Sequence, residues 1–212
     1  MDKINFQLEV KNLSCIRSDK LLFKNLSFVV RNYNLLEITG KNGSGKTSLL
    51  KILSALRLPD EGEIIFNGQN INTMTYEYYS YVSFLGHHNA IKNDLTAIEN
   101  LSISCALSSS VDKENDKDIN SVLTKVELLY HKDDLVGTFS AGMKRRLSIA
   151  KLLLLKNPLW ILDEPYTSVD LSGIDLIESF ITSHLKQGGA VVMTSHHPLK
   201  IDKKYIKNLH IK

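Results

Sequence analysis

Apolar and polar residues alternate from Phe6 to Leu13, the period of a strand with one buried face. Leu26 to Val30 and Leu35 to Thr39 read as a second and third strand, and the third runs into Gly40. A helix is expected from near Gly45 to about Leu56. Pro59-Asp60-Glu61-Gly62 signals a turn, Glu63 to Phe66 a strand, and Asn67-Gly68 a tight turn. Tyr81 to Leu85 reads as another short strand. Thr96 caps a helix over Ala97 to about Leu107, with Glu99 in capping-box spacing. The polar stretch Ser108 to Asp118 reads as a loop leading into a helix over Ile119 to Leu129. Lys144 to Leu155 is an amphipathic helix, and Leu159 to Leu162 is an apolar strand of the kind a parallel sheet buries on both faces. Leu171 to Lys186 is a helix closed by Gly188-Gly189. Ala190 to Thr194 is a central strand, and Tyr205 to Ile211 adds an edge. Early strands lie close together and later ones alternate with helices. That order predicts an α/β fold: a mainly parallel sheet, an antiparallel β flank and a helical insert around residues 90 to 140.

Composition narrows the picture. The net charge of +3 is spread without a block of like charge, so nucleic acid is not an expected partner. Met1 to Asn5 opens into polar sequence without an apolar core, so no signal peptide is expected. The longest purely apolar runs are Leu152 to Leu155 and Leu159 to Leu162, against the roughly 20 residues a membrane span requires. Any membrane this chain serves is expected to be reached through a partner. Cys15 and Cys105 lack metal or redox spacing and read as thiols in a reducing compartment.

The chemistry begins at Gly40-Lys41-Asn42-Gly43-Ser44-Gly45-Lys46-Thr47, which fits G-x-x-x-x-G-K-[ST], with Ser48 behind it. Glycines let backbone N–H groups converge on phosphate oxygens, and the following helix points its positive end at them. Lys46 adds a full charge near the β- and γ-phosphates, and Thr47 offers Mg²⁺ a hydroxyl. A chance match in a chain of this length is about one in a hundred at ordinary glycine frequency. The loop alone leaves kinases, GTPases and motor ATPases open. Leu159-Trp160-Ile161-Leu162-Asp163-Glu164-Pro165 then delivers two carboxylates at a strand end: Asp163 is placed to hold Mg²⁺ and Glu164 to polarise an attacking water.

Between these motifs stands Phe139-Ser140-Ala141-Gly142-Met143, and after them come Ser168-Val169-Asp170 and Val192-Met193-Thr194-Ser195-His196. In this order the chain resembles the ATP-binding cassette (ABC) ATPases over about residues 5 to 200. The phosphate loop resembles the family's Walker A motif, and Phe139 to Met143 its L-S-G-G-Q signature. Leu159 to Glu164 resembles Walker B with its glutamate, Ser168 to Asp170 the D-loop, and His196 the switch histidine. The stretches Phe84-Leu85-Gly86-His87-His88, Ile91 to Leu101, Trp160 to Thr167 and His196-His197-Pro198-Leu199 are similar to one subfamily, the ATP-binding subunits of the haem exporter in cytochrome c maturation.

The resemblance implies a single P-loop domain of ABC type over residues 1–212, with a helical subdomain at about 90 to 150. It implies ATP and Mg²⁺, integral membrane transporter subunits docked at the cytoplasmic face of the inner membrane, and a second cassette chain facing the first. Lys46, Thr47, Asp163, Glu164 and His196 would serve a nucleotide from one side, and Ser140 and Gly142 of the other chain from the opposite side. Asp170 would belong to the same nucleotide site, and an isolated monomer would bind nucleotide but hydrolyse it poorly. Met143 stands where the signature has glutamine and loses an amide. His87 aligns best with the missing Q-loop glutamine, where it would touch the Mg²⁺ water shell, and His88 is one residue away. The usual adenine-stacking aromatic is absent. Arg17 stands near that place, either as a guanidinium stacking plane or as a solvated loop residue. No C-x-x-C-H occurs, and direct haem binding is not expected. Tyr76, Tyr78, Tyr79 and Tyr81 either line a partner groove or pack a short strand. Against a soluble ABC protein acting on ribosomes or DNA stands the lack of a second cassette, a coiled-coil insert or zinc-type cysteines. Against a P-loop kinase stand Ser140-Ala141-Gly142 and His196.

Overall fold

A computed structural model describes residues 6–74, 76–108 and 116–212. The polar opening at residues 1–5, and residues 109–115 of the expected loop, lie outside them. In chain order the strands are β1 (Gln7–Arg17), β2 (Lys20–Arg31), β3 (Leu35–Gly40), β4 (Glu61–Phe66), β5 (Gln69–Asn70), β6 (Val82–Leu85), β7 (Leu159–Asp163), β8 (Ala190–Thr194) and β9 (Ile206–Ile211). The helices are α1 (Lys46–Leu53), α2 (Ala97–Ala106), α3 (Asp116–Lys125), α4 (Ala141–Leu155) and α5 (Leu171–Lys186). One sheet is antiparallel in the order β2-β1-β4-β5; the other has the order β6-β7-β8-β3-β9 with every neighbouring pair parallel.

The first hairpin is longer than its hydrophobic pattern suggests. Alternation fails beyond Leu13 because the β1–β2 register shifts after Val10 and again after Leu13. Asn12 and Asn25 sit in left-handed backbone at φ 51° and 54°, as bulge positions demand. The strands nevertheless continue to Arg17 and Lys20, joined by Ser18 and Asp19 at φ 48° and 59°. Positive φ at both central residues is the mirror-image turn that matches strand twist. Asn67 at φ 50° and Gly68 at φ 85° make the same kind of turn before β5.

Helix boundaries shift for local reasons. α1 ends at Leu53, where Ser54 forms the C-cap and Ala55 turns left-handed at φ 56°. α3 stops at Lys125, ahead of the expected Leu129, as Glu127 adopts φ 61°. α4 begins three residues before its amphipathic pattern. The Ser140 hydroxyl accepts the Met143 N–H at 3.1 Å and caps it. The Thr96–Glu99 capping box forms as expected.

Three apolar cores hold these layers. β7 sends Leu159 and Ile161 into the core shared with α1 and the antiparallel sheet, and Trp160 and Leu162 into the core shared with α4 and α5. β8 divides likewise, Ala190 and Val192 against Val191 and Met193. Each such buried aliphatic side chain contributes about 1.5–3 kcal/mol, which explains strands apolar at every position. The third core joins α2, α3 and the Leu147–Ala150–Leu154 face of α4. The tyrosines divide. Tyr78 is buried with its hydroxyl donating to the Leu53 carbonyl, and Tyr81 packs on Phe66, whereas Tyr76 and Tyr79 are exposed.

His184 on α5 stacks on Trp160 with ring centroids 3.9 Å apart, its Nε2 3.1 Å from the Pro158 carbonyl oxygen. Burial lowers its pKa from 6.5 to about 4. The unfolded chain therefore takes up this proton first on acidification, so the contribution is intact above about pH 6.5 and is lost as pH falls towards 4. Urea unfolding across that range is expected to lose up to about 3 kcal/mol that His184→Phe retains. An unchanged slope in the variant would assign the acid sensitivity elsewhere.

Candidate functional site

β3 delivers the chain into the phosphate loop, and α1 leaves it. Gly40, Gly43 and Gly45 have φ 151°, 81° and 102°. A Cβ on Gly40 would stand 2.4 Å from the Ile211 carbonyl oxygen, and one on Gly45 2.9 Å from Leu22 Cβ, so neither position admits a side chain. The Ser44 N–H donates to the Lys41 carbonyl at 3.1 Å and closes the loop. The Lys46 ammonium donates to the carbonyls of Gly40 at 2.8 Å and Lys41 at 3.2 Å, so it stands across the loop. The Ser44 hydroxyl is buried without a partner among the described residues. A cradle free of Cβ atoms, with a free hydroxyl and an ammonium, fits a phosphate chain.

The loop opens onto a cleft of about 610 Å³ lined by Asn42, Gly43, Gly45, Lys46, Thr47 and Ser48, with Asp163, Glu164 and His196 opposite and Arg17, Ser18, Lys20 and Leu22 at the hairpin side. Asp163, at the end of β7, is 3% exposed. Its Oδ1 accepts the Thr194 hydroxyl at 2.8 Å, and the Thr194 Oγ1 in turn accepts the Glu164 N–H at 3.0 Å. Thr194 at the end of β8 thereby fixes both acidic residues. Glu164 has φ 49°, a conformation that costs a residue with a Cβ about 1–3 kcal/mol and persists where surrounding contacts dictate it. His196 Nε2 lies 3.3 Å from Glu164 Oε1. Thr47 and Asp163 offer a hydroxyl and a carboxylate, the hard oxygen donors Mg²⁺ prefers. Among the described residues no group of three or more His, Cys, Asp and Glu side chains could form a metal cage.

Two residues of this site lie outside the sequence reading. Thr194 is one. Arg145 is the other: it is 2% exposed and donates to the carbonyls of Asp163, Glu164, Pro165 and Gly86 and to Asn89 Oδ1. Burial lowers its pKa to about 10, against the opposing pull of Asp163 and Glu164, so it stays charged at neutral pH. Its triplet Lys144-Arg145-Arg146 gives no local sign of which cation is buried.

Four expected residues stand outside both the phosphate loop and the lining of the cleft. Ser140 and Gly142 lie at the α4 N-terminus, where a Cβ on Gly142 would meet the Ser168 carbonyl oxygen at 3.2 Å. Asp170 caps α5. The Gly173 N–H and Ser172 hydroxyl donate to it, each at 3.0 Å, and hold its carboxyl below the ordinary range. His87 is exposed, edge-to-face with His88, and is not among the residues that line the cleft. The loop from Gly86 to Asn89 is anchored instead by Arg145. Arg17 is exposed and lines the cleft.

A phosphate cradle and a carboxylate-tipped strand on neighbouring parts of one parallel sheet, with an antiparallel flank and three helices around a separate core, define a P-loop nucleotide-binding domain of the ABC type. Comparison with known proteins agrees. The ABC transporter family profile matches residues 23–167. The cytochrome c biogenesis ATP-binding export protein CcmA of Aliivibrio fischeri is 40% identical over 204 residues, 96% of this chain and 98% of that protein. CcmA of Nitrosomonas europaea is 44% identical over 193 residues, 91% and 89% of the two chains. Among solved structures, a putative ABC transporter ATP-binding protein from Pyrococcus furiosus superposes with a TM-score of 0.82 at 26% identity, covering 97% of each chain. An ATP-binding subunit of an ABC transporter reaches a TM-score of 0.85 at 24% identity, over 97% of this chain and 88% of that one, a likeness of fold. The chain belongs to the ABC transporter family and, within it, to the cytochrome c biogenesis ATP-binding export proteins of the CcmA group.

Proposed function

We propose that this chain hydrolyses ATP to ADP and phosphate as the motor subunit of an ABC transporter that exports or delivers haem, or releases a haem-loaded chaperone, in cytochrome c maturation. The gathering of Lys46, Thr47, Asp163, Glu164 and His196 around one cleft carries the reading. Lys46 and the loop amides bind the phosphates. Thr47 and Asp163 hold Mg²⁺, which when bound neutralises charge developing on the transferred phosphoryl group. Glu164 polarises the attacking water, and His196, 3.3 Å away, orients the carboxylate and meets the γ-phosphate side. Ser140 and Gly142 of a second copy close the site, and Arg17 lies beneath the base. Residues 1–212 act as one domain, with 90–150 as its helical part.

Among the described residues no helix is long and apolar enough to cross a membrane. The chain works at the cytoplasmic face of the inner membrane through integral partner subunits. Co-purification from native membranes is expected to recover small integral membrane proteins of the cytochrome c maturation system. Recovery of an unrelated permease would remove the haem reading and leave the ATPase.

A further inference from the structure

An arginine side chain carries five N–H donors in a planar fork. Arg145 uses all of them. Nε donates to the Pro165 carbonyl at 2.9 Å. Nη2 donates to the carbonyls of Asp163 at 3.0 Å and Glu164 at 2.7 Å. Nη1 donates to the Gly86 carbonyl at 2.9 Å and to Asn89 Oδ1 at 3.2 Å. One helical turn on, the Ser148 hydroxyl donates to the Asn89 carbonyl at 2.9 Å and holds the same loop to α4. Three consecutive carbonyls at the end of β7 thus converge on one buried guanidinium, which also grips the segment leaving β6. Glu164 lies in the middle of the three with its backbone left-handed, and its N–H is held from the other side by Thr194. The Glu164 carbonyl also accepts the Thr167 N–H at 3.2 Å, and its carboxylate faces His196.

We propose that Arg145 is a positioning residue for hydrolysis: its guanidinium holds the Glu164 backbone in the left-handed conformation and locks it to the Gly86–Asn89 loop, setting the carboxylate against the cleft. This rests on reading Glu164 as the group that polarises water. Lysine cannot replace the fork, because a single ammonium offers three donors from one point and cannot reach both segments.

The full chain, assembled with the membrane proteins it co-purifies with, provides the test, with kcat expressed per ATP-binding site. Arg145→Met is expected to lower kcat about 100-fold and leave the Kd for ATP within about threefold, because the nucleotide-binding loop is not among its contacts. Arg145→Lys is expected to fall between that variant and the parent. If Arg145→Met does not accumulate in folded form, Arg145→Lys is read by the same two quantities. In a Glu164→Gln background, Arg145→Met is expected to add less than about a twofold further loss, since both changes disable one group. A purely structural role predicts instead that the two losses multiply, or that Kd rises in step with the fall in kcat; either result overturns the proposal. A parent-like Arg145→Met beside an inactive Glu164→Gln overturns it alone. A parent-like Glu164→Gln overturns the reading of Glu164 as well.

Discussion

Glu164→Gln lowers kcat for ATP hydrolysis about 10²- to 10⁴-fold, the range that general-base assistance supplies, while ATP binding survives. The amide keeps the size of the carboxylate and leaves the backbone contacts with Arg145 and Thr194 in place. The carboxylate facing His196 at 3.3 Å is lost, and with it the group proposed to draw a proton from water. Since ATP binds and is not consumed, the variant is expected to accumulate as a nucleotide-bound dimer. Single-turnover hydrolysis and sedimentation in ATP measure both effects. Turnover like the parent's would take Glu164 out of this role.

The second large effect falls on binding. Lys46→Ala removes the ammonium that stands across the phosphate loop, and hydrogen bonds to charged groups contribute about 1.5–3 kcal/mol each. The Kd for ATP is expected to rise about 10- to 150-fold, from the rule of a tenfold change per 1.36 kcal/mol. Among the described residues Lys46 bonds only to the carbonyls of Gly40 and Lys41, so thermal unfolding is expected to change little. Equilibrium titration with a fluorescent ATP analogue separates this variant from Glu164→Gln: the first loses binding and the second loses turnover. An unchanged Kd would mean that backbone amides alone hold the phosphates.

What the sequence made legible was what depends on near neighbours. The strand–loop–helix around Gly40 to Thr47, the capping box at Thr96 and Glu99, and the apolar strand ending in Asp163 and Glu164 all appear as expected, because each is specified within a few residues. The parallel sheet, antiparallel flank and helical insert followed from element order. What stayed hidden depends on distant partners. The hairpin from Ser14 to Phe23 was masked by register shifts, which break the alternation that marks a strand. Arg145 and Arg146 are adjacent and chemically alike. Carbonyls 18 to 59 residues away bury the first, whereas the second faces Glu127 and Asp170. Thr194 ends an apolar strand and shows its role only where β8 lies beside β7. His87 sits on the loop that Arg145 anchors at Gly86 and Asn89, a tie that no local pattern shows.

The left-handed positions at Asn12, Asn25 and Asn67 connect this fold to the genetic code. Glycine is the usual occupant of such backbone, and every glycine codon begins with two guanines. Asparagine is the residue with a Cβ that tolerates the conformation best, since its amide bonds locally, and both of its codons begin with two adenines. The chain is rich in lysine, asparagine and isoleucine, residues whose codons are rich in adenine and thymine. At three bends of the antiparallel flank asparagine, with such a codon, meets the demand of the backbone. At Gly40 and Gly45 the exchange is closed, because a Cβ would strike the Ile211 carbonyl and Leu22, so glycine holds those positions whatever its codon.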